Sequence, residues 1–302
     1  MSEVEVTAIL VTYNPDENFF CTVVKSIASQ VNNVIVIDNA SKNNDVVNNA
    51  TADIKNAEVY LSDKNVGLAS AQNQGIRKAF ENGSSHIILF DQDSIIEPFF
   101  IHNLLTAEAK LISDGIKLAA IGPSFISPET DTPYPATVYC GPFIKRVVIE
   151  DKPIEATFII ASGCLIRKNA IDKIGLMKDE LFIDYIDVEW SLRAKTLGYK
   201  VFISPAATMV HSIGDRRMTV LGRSISVHSP FRRYFLVRNS FFMLRLHYIP
   251  FGYKVRECTF NILRFFIGLC VSDDKKMFFK YTMHAIKDGI LGRFGPCRMQ
   301  NK

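Results

Sequence analysis

HIILFDQDS, residues 86–94, decides how the chain is read. Its first five residues are largely apolar, as a parallel strand buried on both faces requires. The run then ends in two carboxylates, Asp91 and Asp93, with Gln92 between them. Like charges at a strand's tip repel. Such a pair makes sense either as a solvated turn or as a cation site, because hard divalent cations take carboxylate oxygens and bridge them to phosphate.

Working outward, VTAILVTY (6–13), NVIVIDN (33–39) and AEVYLSD (57–63) read as strands, and NFFCTVVKSIASQ (18–30) and LASAQNQGIRKAF (68–80) as helices. Alternation of this kind predicts an α/β fold: a Rossmann-like, mostly parallel sheet flanked by helices, with ligands beyond the carboxyl ends of the strands. Tyr13 and Asn14, Asp38 and Asn39, and Asp91 to Asp93 then converge on one edge. No GxxxxGK[ST] is present, and GLASAQNQG does not follow a strand in the GxGxxG pattern. Phosphate is therefore expected to be handled by a cation at Asp91 and Asp93.

With 302 residues, 48% of them hydrophobic, the chain can bury a full core. The start, MSEVEVTAILVTYN, lacks a basic segment followed by an apolar one, so no secretory signal and an intracellular protein are expected. The six cysteines lie far apart with no CxxC, which argues for reduced thiols rather than zinc or a disulfide scaffold. Charge is polarised along the chain: residues 1–215 hold 18 Lys and Arg against 27 Asp and Glu, and residues 216–302 hold 17 against 4, leaving about −9 and +13. Net charge of +4 conceals this.

VTYN (11–14), IDNAS (37–41), NVGLASAQNQG (65–75), FDQDS (90–94), SGCLIRK (162–168), FIDYIDVEWSLRAKTLGYKV (182–201), MVHSIGD (209–215) and YFLVRNSFFMLR (234–245) follow one another along the chain. In this order they resemble family 2 glycosyltransferases of the GT-A fold, and FDQDS looks like the bacterial rhamnosyltransferase branch. The resemblance implies inverting transfer of a sugar from a nucleotide diphosphate. It implies a nucleotide-sugar site at Thr12, Tyr13, Asn14, Asp38, Asn39, Asn65, Gly67, Asn73, Asp91, Gln92 and Asp93. Within it, Asp38 would read the pyrimidine, Asp91 would sit near ribose and diphosphate, and Asp93 would bind Mg²⁺ or Mn²⁺ with Asp91 and with His211, which is either the third ligand or a donor to the diphosphate. The donor it implies is dTDP-L-rhamnose and the acceptor a lipid-linked saccharide of surface polysaccharide synthesis. The alternatives are another UDP- or dTDP-hexose, or a catalytically silent membrane-associated scaffold.

Asp184, Asp187 and Glu189 lie within six residues before the helical pattern WSLRAKTLGYK. Inverting transfer needs a carboxylate to take the acceptor's proton. The family's acidic dipeptide aligns on Ile186 and Asp187, which points to Asp187 as the base and leaves Asp184 as the substitute for the missing first acid. The plainer reading makes Asp187 an N-cap. Trp190 either stacks on the acceptor sugar or belongs to the core. Ser162 and Gly163 either floor the acceptor site or mark a strand bulge.

In the tail, RRYFLVRNSFFMLRLHYIPFGYKV (232–255) and FNILRFFIGLCV (260–271) mix aromatics, leucines and arginines at near-helical spacing, without 18 uninterrupted apolar residues. A helix of this kind lies in an anionic membrane interface, or else it closes the core or a homodimer contact. Nucleic acid fits poorly, because no binding motif is present. The expected division is a catalytic domain over 1–225, its nucleotide-binding half at about 1–120 and its acceptor half at about 121–225. A helical, basic, aromatic-rich region over 226–302 completes it, on a protein located peripherally at the cytoplasmic face of the bacterial membrane.

Overall fold

A computed structural model describes residues 4–299 apart from 129, 211–215, 221–222 and 228. The central sheet has eight strands: β1 (Val6–Thr12), β2 (Asn33–Asp38), β3 (Ala57–Leu61), β4 (His86–Asp91), β5 (Leu118–Ile126), β8 (Ile154–Ala156), β9 (Cys164–Arg167) and β10 (Lys200–Val210). Their order is β3-β2-β1-β4-β9-β5-β10-β8. Strands β3, β2, β1 and β4 run parallel, as do β5 and β10, and β9 joins the two sets by pairing antiparallel with β4 and β5. The sheet is thus mostly parallel, as the alternation predicts. Two hairpins lie outside it, β6 (Ala136–Cys140) with β7 (Phe143–Val147) and β11 (Arg216–Val220) with β12 (Arg223–Val227).

Residues alternate between the faces of the sheet, as the two-residue period of a strand dictates. In β1, Ala8 and Leu10 enter one core cluster and Ile9 the other. The first face is covered by α1 (Glu17–Ala28), α2 (Asn44–Thr51) and α4 (Phe100–Ser113), through Phe20, Val24, Val47 and Leu104. The second is covered by α3 (Leu68–Glu81), α5 (Lys168–Ile174) and α6 (Ile186–Thr196), through Ala71, Ile76, Ile171 and Trp190.

Register positions the polar tips. Thr12 pairs with Asp38 and Val11 with Asp91, so these two carboxylates flank the end of β1. With β2 on one side of β1 and β4 on the other, the strand order switches there, the usual ligand position of an open α/β sheet.

Three helices complete the fold: α7 (Pro230–Arg245), α8 (Phe251–Val271) and α9 (Lys275–Leu291). Ser229 caps α7 by accepting the Arg232 N–H, with Pro230 at the first helical position, a combination that favours helix initiation. Tyr234, Phe235 and Val237 of α7 pack with Tyr281 and Ala285 of α9, and Phe182 and Ile183 lie against them.

Candidate active site

The strand ends are tied to one another before any ligand arrives. Asp38 is 1% exposed; its Oδ1 accepts from the Thr12 and Ser41 hydroxyls and its Oδ2 from the Ser41 N–H. Three of roughly four carboxylate lone-pair positions are thereby filled, and the one left, on Oδ2, is what a base edge could use. Asn39 donates to Asn65 Oδ1 at 3.1 Å and accepts from the Val66 N–H. Asn65 Oδ1 also accepts from the Gly67 N–H at 2.9 Å. At Gly67, φ is +86° and an added Cβ would lie 2.5 Å from the Phe182 ring, so only glycine fits. Gln92 accepts from the Tyr13 N–H at 2.7 Å, linking the tips of β4 and β1. Tyr13, Asn14, Asn65 and Asp93 are exposed, and Asp91 and Gln92 half-buried.

Of the three acids in FIDYIDVEW, two are engaged by cations. Glu189 is fully buried and held by Arg193 at 2.9 Å, with Tyr248 donating to the same carboxylate. Asp184 accepts from Arg232 Nε and Nη2 at 3.3 and 3.2 Å. Asp187 instead accepts from the Val188 N–H at 2.8 Å. It is partly accessible, in a recess where burial first, and the fields of Asp184 and Asp91 as well, push its carboxyl up to about 6 against the hydrogen bonds at the helix start. Asp91 and Asp187 therefore belong to one electrostatic neighbourhood, although 96 positions separate them in the chain.

Asp187 is not the N-cap. That position is Tyr185, in the left-handed region, and Asp187 is the second residue of α6. Phe182, Asp184 and Tyr185 all have φ near +64°. Three non-glycine residues in this region within four positions mark local strain that the surroundings must enforce. The enforcing residues are on α7. Asn239 donates to the carbonyls of Leu181, Ile183 and Asp184, and Arg238 to those of Glu180 and Leu181. Sequence reasoning assigned no role to Arg232, Arg238 or Asn239. Arg238 and Asn239 stand in the motif YFLVRNSFFMLR, yet the loop carbonyls they hold lie more than fifty positions away and leave no local trace.

Several expected contacts are corrected. Trp190 is 2% exposed and donates its indole N–H to the Gly175 carbonyl, so it is core and offers no face to a sugar. Asn73 is 1% exposed; its amide donates to Met177 O and Asp179 and accepts from the Met177 N–H, which makes it a clamp on the turn at 177–179 rather than a nucleotide contact. Ser162 is 1% exposed, shares a 2.6 Å hydrogen bond with Ser94 and accepts from the Asp91 N–H. Gly163, at φ +74° with Pro123 2.8 Å from an added Cβ, donates to Leu89 O at 2.7 Å. Both residues support the end of β4 from beneath instead of flooring an acceptor site. His211 lies outside the described residues, and among those described no group of three His, Cys, Asp or Glu is arranged for a metal ion.

Residues 7–175 match the family model of glycosyl transferase family 2. The chain is 35% identical over 299 residues to the dTDP-rhamnosyl transferase RfbF of Shigella flexneri, covering 96% of this chain and 97% of that one. Its fold is similar to that of GalNAc-T7, solved with UDP, GalNAc and Mn²⁺, at a TM-score of 0.59 and 15% identity, over 97% of this chain and 58% of the other. It is also similar to residues 1–349 of TarS from S. aureus in complex with UDP-GlcNAc, at a TM-score of 0.56 and 14% identity, over 95% of this chain and 81% of the other.

Proposed function

Because the chain belongs to the family 2 glycosyltransferases, we propose that it moves L-rhamnose from dTDP-L-rhamnose onto a lipid-linked saccharide, with inversion, in assembly of a surface polysaccharide such as O-antigen. The observation that carries the reaction is Asp187, a partly accessible carboxyl held near 6 within the field of a strand-end carboxylate. A base of that pKa is ionised at neutral pH and still has affinity for a proton. Asp187 takes the proton of the acceptor hydroxyl as that oxygen bonds to the anomeric carbon. The bond from that carbon to the diphosphate oxygen breaks, and the nucleoside diphosphate departs with the electron pair. The donor's identity is supported by the 35% identity with the Shigella flexneri enzyme along nearly the whole of both chains.

Asp38, Tyr13, Asn14 and Asn65 surround the nucleotide in this reading, and Arg232 orients the loop before the base through Asp184. Asp91 and the exposed Asp93 suit a hard divalent cation, since both are carboxylates at one strand end. Mg²⁺ or Mn²⁺ held there would supply neutralisation of the leaving diphosphate. We assign residues 1–225 to catalysis and 226–302 to attachment at the cytoplasmic face of an anionic membrane. The exposed Val255, Ile262, Leu263 and Phe266 of α8 and the +13 balance of residues 216–302 support that assignment. Among the described residues no helix is long and apolar enough to cross a membrane.

The test is incubation of the purified protein with a panel of nucleotide sugars, Mg²⁺ or Mn²⁺ and saccharide acceptors. Acceptor-dependent dTDP release from dTDP-L-rhamnose is the expected result. Release from a UDP-hexose alone would reassign the donor.

A further inference from the structure

Arg233, in the first turn of α7, is 7% exposed, and its Nε and Nη2 are buried with no hydrogen-bond partner among the described residues. These two N–H groups share one edge of the guanidinium, the edge that grips two oxygens of an oxyanion side by side. A guanidinium buried in this way is unfavourable until something fills that edge.

Its neighbours do not fill it. Glu257 accepts from the Tyr185 hydroxyl at 2.5 Å, and Arg264 stands 3.8 Å from the same carboxylate. Arg233 lies within the field of that carboxylate as well, so two guanidiniums share one negative charge, an excess of positive charge. Burial first, and then the field of Arg264, lower the Arg233 pKa to about 10, against the supporting fields of Tyr185 and Glu257. Arg264 is 40% exposed along its side chain, so it lies on the solvent side of the cluster, and a ligand entering past it would have to open the way to the buried Arg233 edge. It also adjoins the proposed base. Arg232, one residue earlier, holds Asp184, and Tyr185 caps the helix that carries Asp187.

We propose that Arg233 and Arg264 form a subsite for a phosphoryl group of the acceptor, Arg233 gripping two of its oxygens and Arg264 supplying the second positive charge. In the proposed reading the donor's diphosphate lies at the end of β4, by Asp91 and Asp93, whereas this cluster lies between α7 and α8, beside the loop that leads to the base. A phosphoryl group held there would anchor the acceptor from its own side. The inference rests on the acceptor reading above and adds the residues that would hold the phosphoryl group of that acceptor.

Calorimetric titration of the full chain with decyl phosphate, dTDP and Mg²⁺ being saturating, tests it. Wild type should bind decyl phosphate, and Arg233→Met should weaken that binding about tenfold or more, with dTDP affinity unchanged and a melting temperature equal to or above wild type. Arg233→Lys, which keeps the charge without the two-pronged edge, should recover only part of the binding. Absence of decyl phosphate binding to wild type, or equal binding to wild type and folded Arg233→Met, would overturn the subsite. Loss of dTDP affinity in Arg233→Met with decyl phosphate binding retained would also overturn it, moving Arg233 to the donor's diphosphate. Failure of wild type to bind dTDP would break the donor reading, while a decyl phosphate titration without nucleotide would still decide the subsite.

Discussion

Asp187 carries its negative charge against its surroundings, and the sign of that burden can be worked out. Its folded-state pKa, about 6, lies above the ordinary 3.8. A group raised in this way contributes stability fully below the ordinary value and loses it as pH rises through the folded value. At pH 7 ionised Asp187 therefore destabilises the fold, and Asp187→Asn should raise stability by about 1–2 kcal/mol. The same change should lower transfer by roughly 100-fold while donor binding stays near normal. In wild type, kcat/KM should rise with pH and level off above about 6, and the residual activity of the variant should not follow that curve. A melt, a pH profile and a donor titration check the three parts, and parallel loss of donor affinity and rate would make Asp187 structural. On the donor side, Asp93→Ala should abolish nearly all transfer and Asp91→Ala impair it, whereas chelator-insensitive transfer that survives Asp93→Ala would refute the cation assignment. Asp91 and Asp93 draw notice in the sequence because paired like charges at a strand's tip repel, and Asp187 because three acids crowd into six residues before one helix. Asn73 was misread, and Trp190 and Ser162 stayed between two readings, because a polar atom satisfied inside the protein has the same letter as one that faces a ligand.

At the scale of elements, the loop 181–185 and α7 form one device. Non-glycine residues in the left-handed region cost on the order of 1 kcal/mol or more each, and three occur here. Asn239 answers with hydrogen bonds to three carbonyls of that loop. Asn239→Ala should therefore destabilise the protein by about 2–4 kcal/mol and reduce transfer more than dTDP binding, since the nucleotide edge is built from β1, β2 and β4. Thermal melts beside a dTDP titration measure this, and equal losses of both functions would point to global unfolding instead. Alternating strands and helices made the sheet legible. Helix α2 escaped notice because NDVVNNAT is mostly polar and buries only Val46, Val47, Ala50 and Thr51. The antiparallel β9 escaped too, since four residues, CLIR, show no direction in their letters. Backbone strain at Phe182, Asp184 and Tyr185 is a property of tertiary context and has no sequence signal.

Across the whole molecule, charge separates the region expected to hold an anionic donor, at −9, from the tail, at +13. Exposed apolar residues on α8 and α9, among them Ile262, Phe266, Met277 and Phe279, accompany that positive charge. Flotation of the protein with vesicles rich in phosphatidylserine, and its failure with neutral ones, is the expected outcome, because each basic residue near such a surface contributes about 1 kcal/mol. Indifference to lipid charge would favour packing between two copies. Composition made this polarity legible, whereas the tail's grip on the loop before α6 was visible only in three dimensions. That grip limits how such chains can be recombined. A chimaera that joins these first 225 residues to a relative's tail would receive foreign partners for the carbonyls of Leu181, Ile183 and Asp184. Breakpoints placed before Asp179, which keep the loop and α7 from the same parent, are the ones from which an active hybrid should emerge.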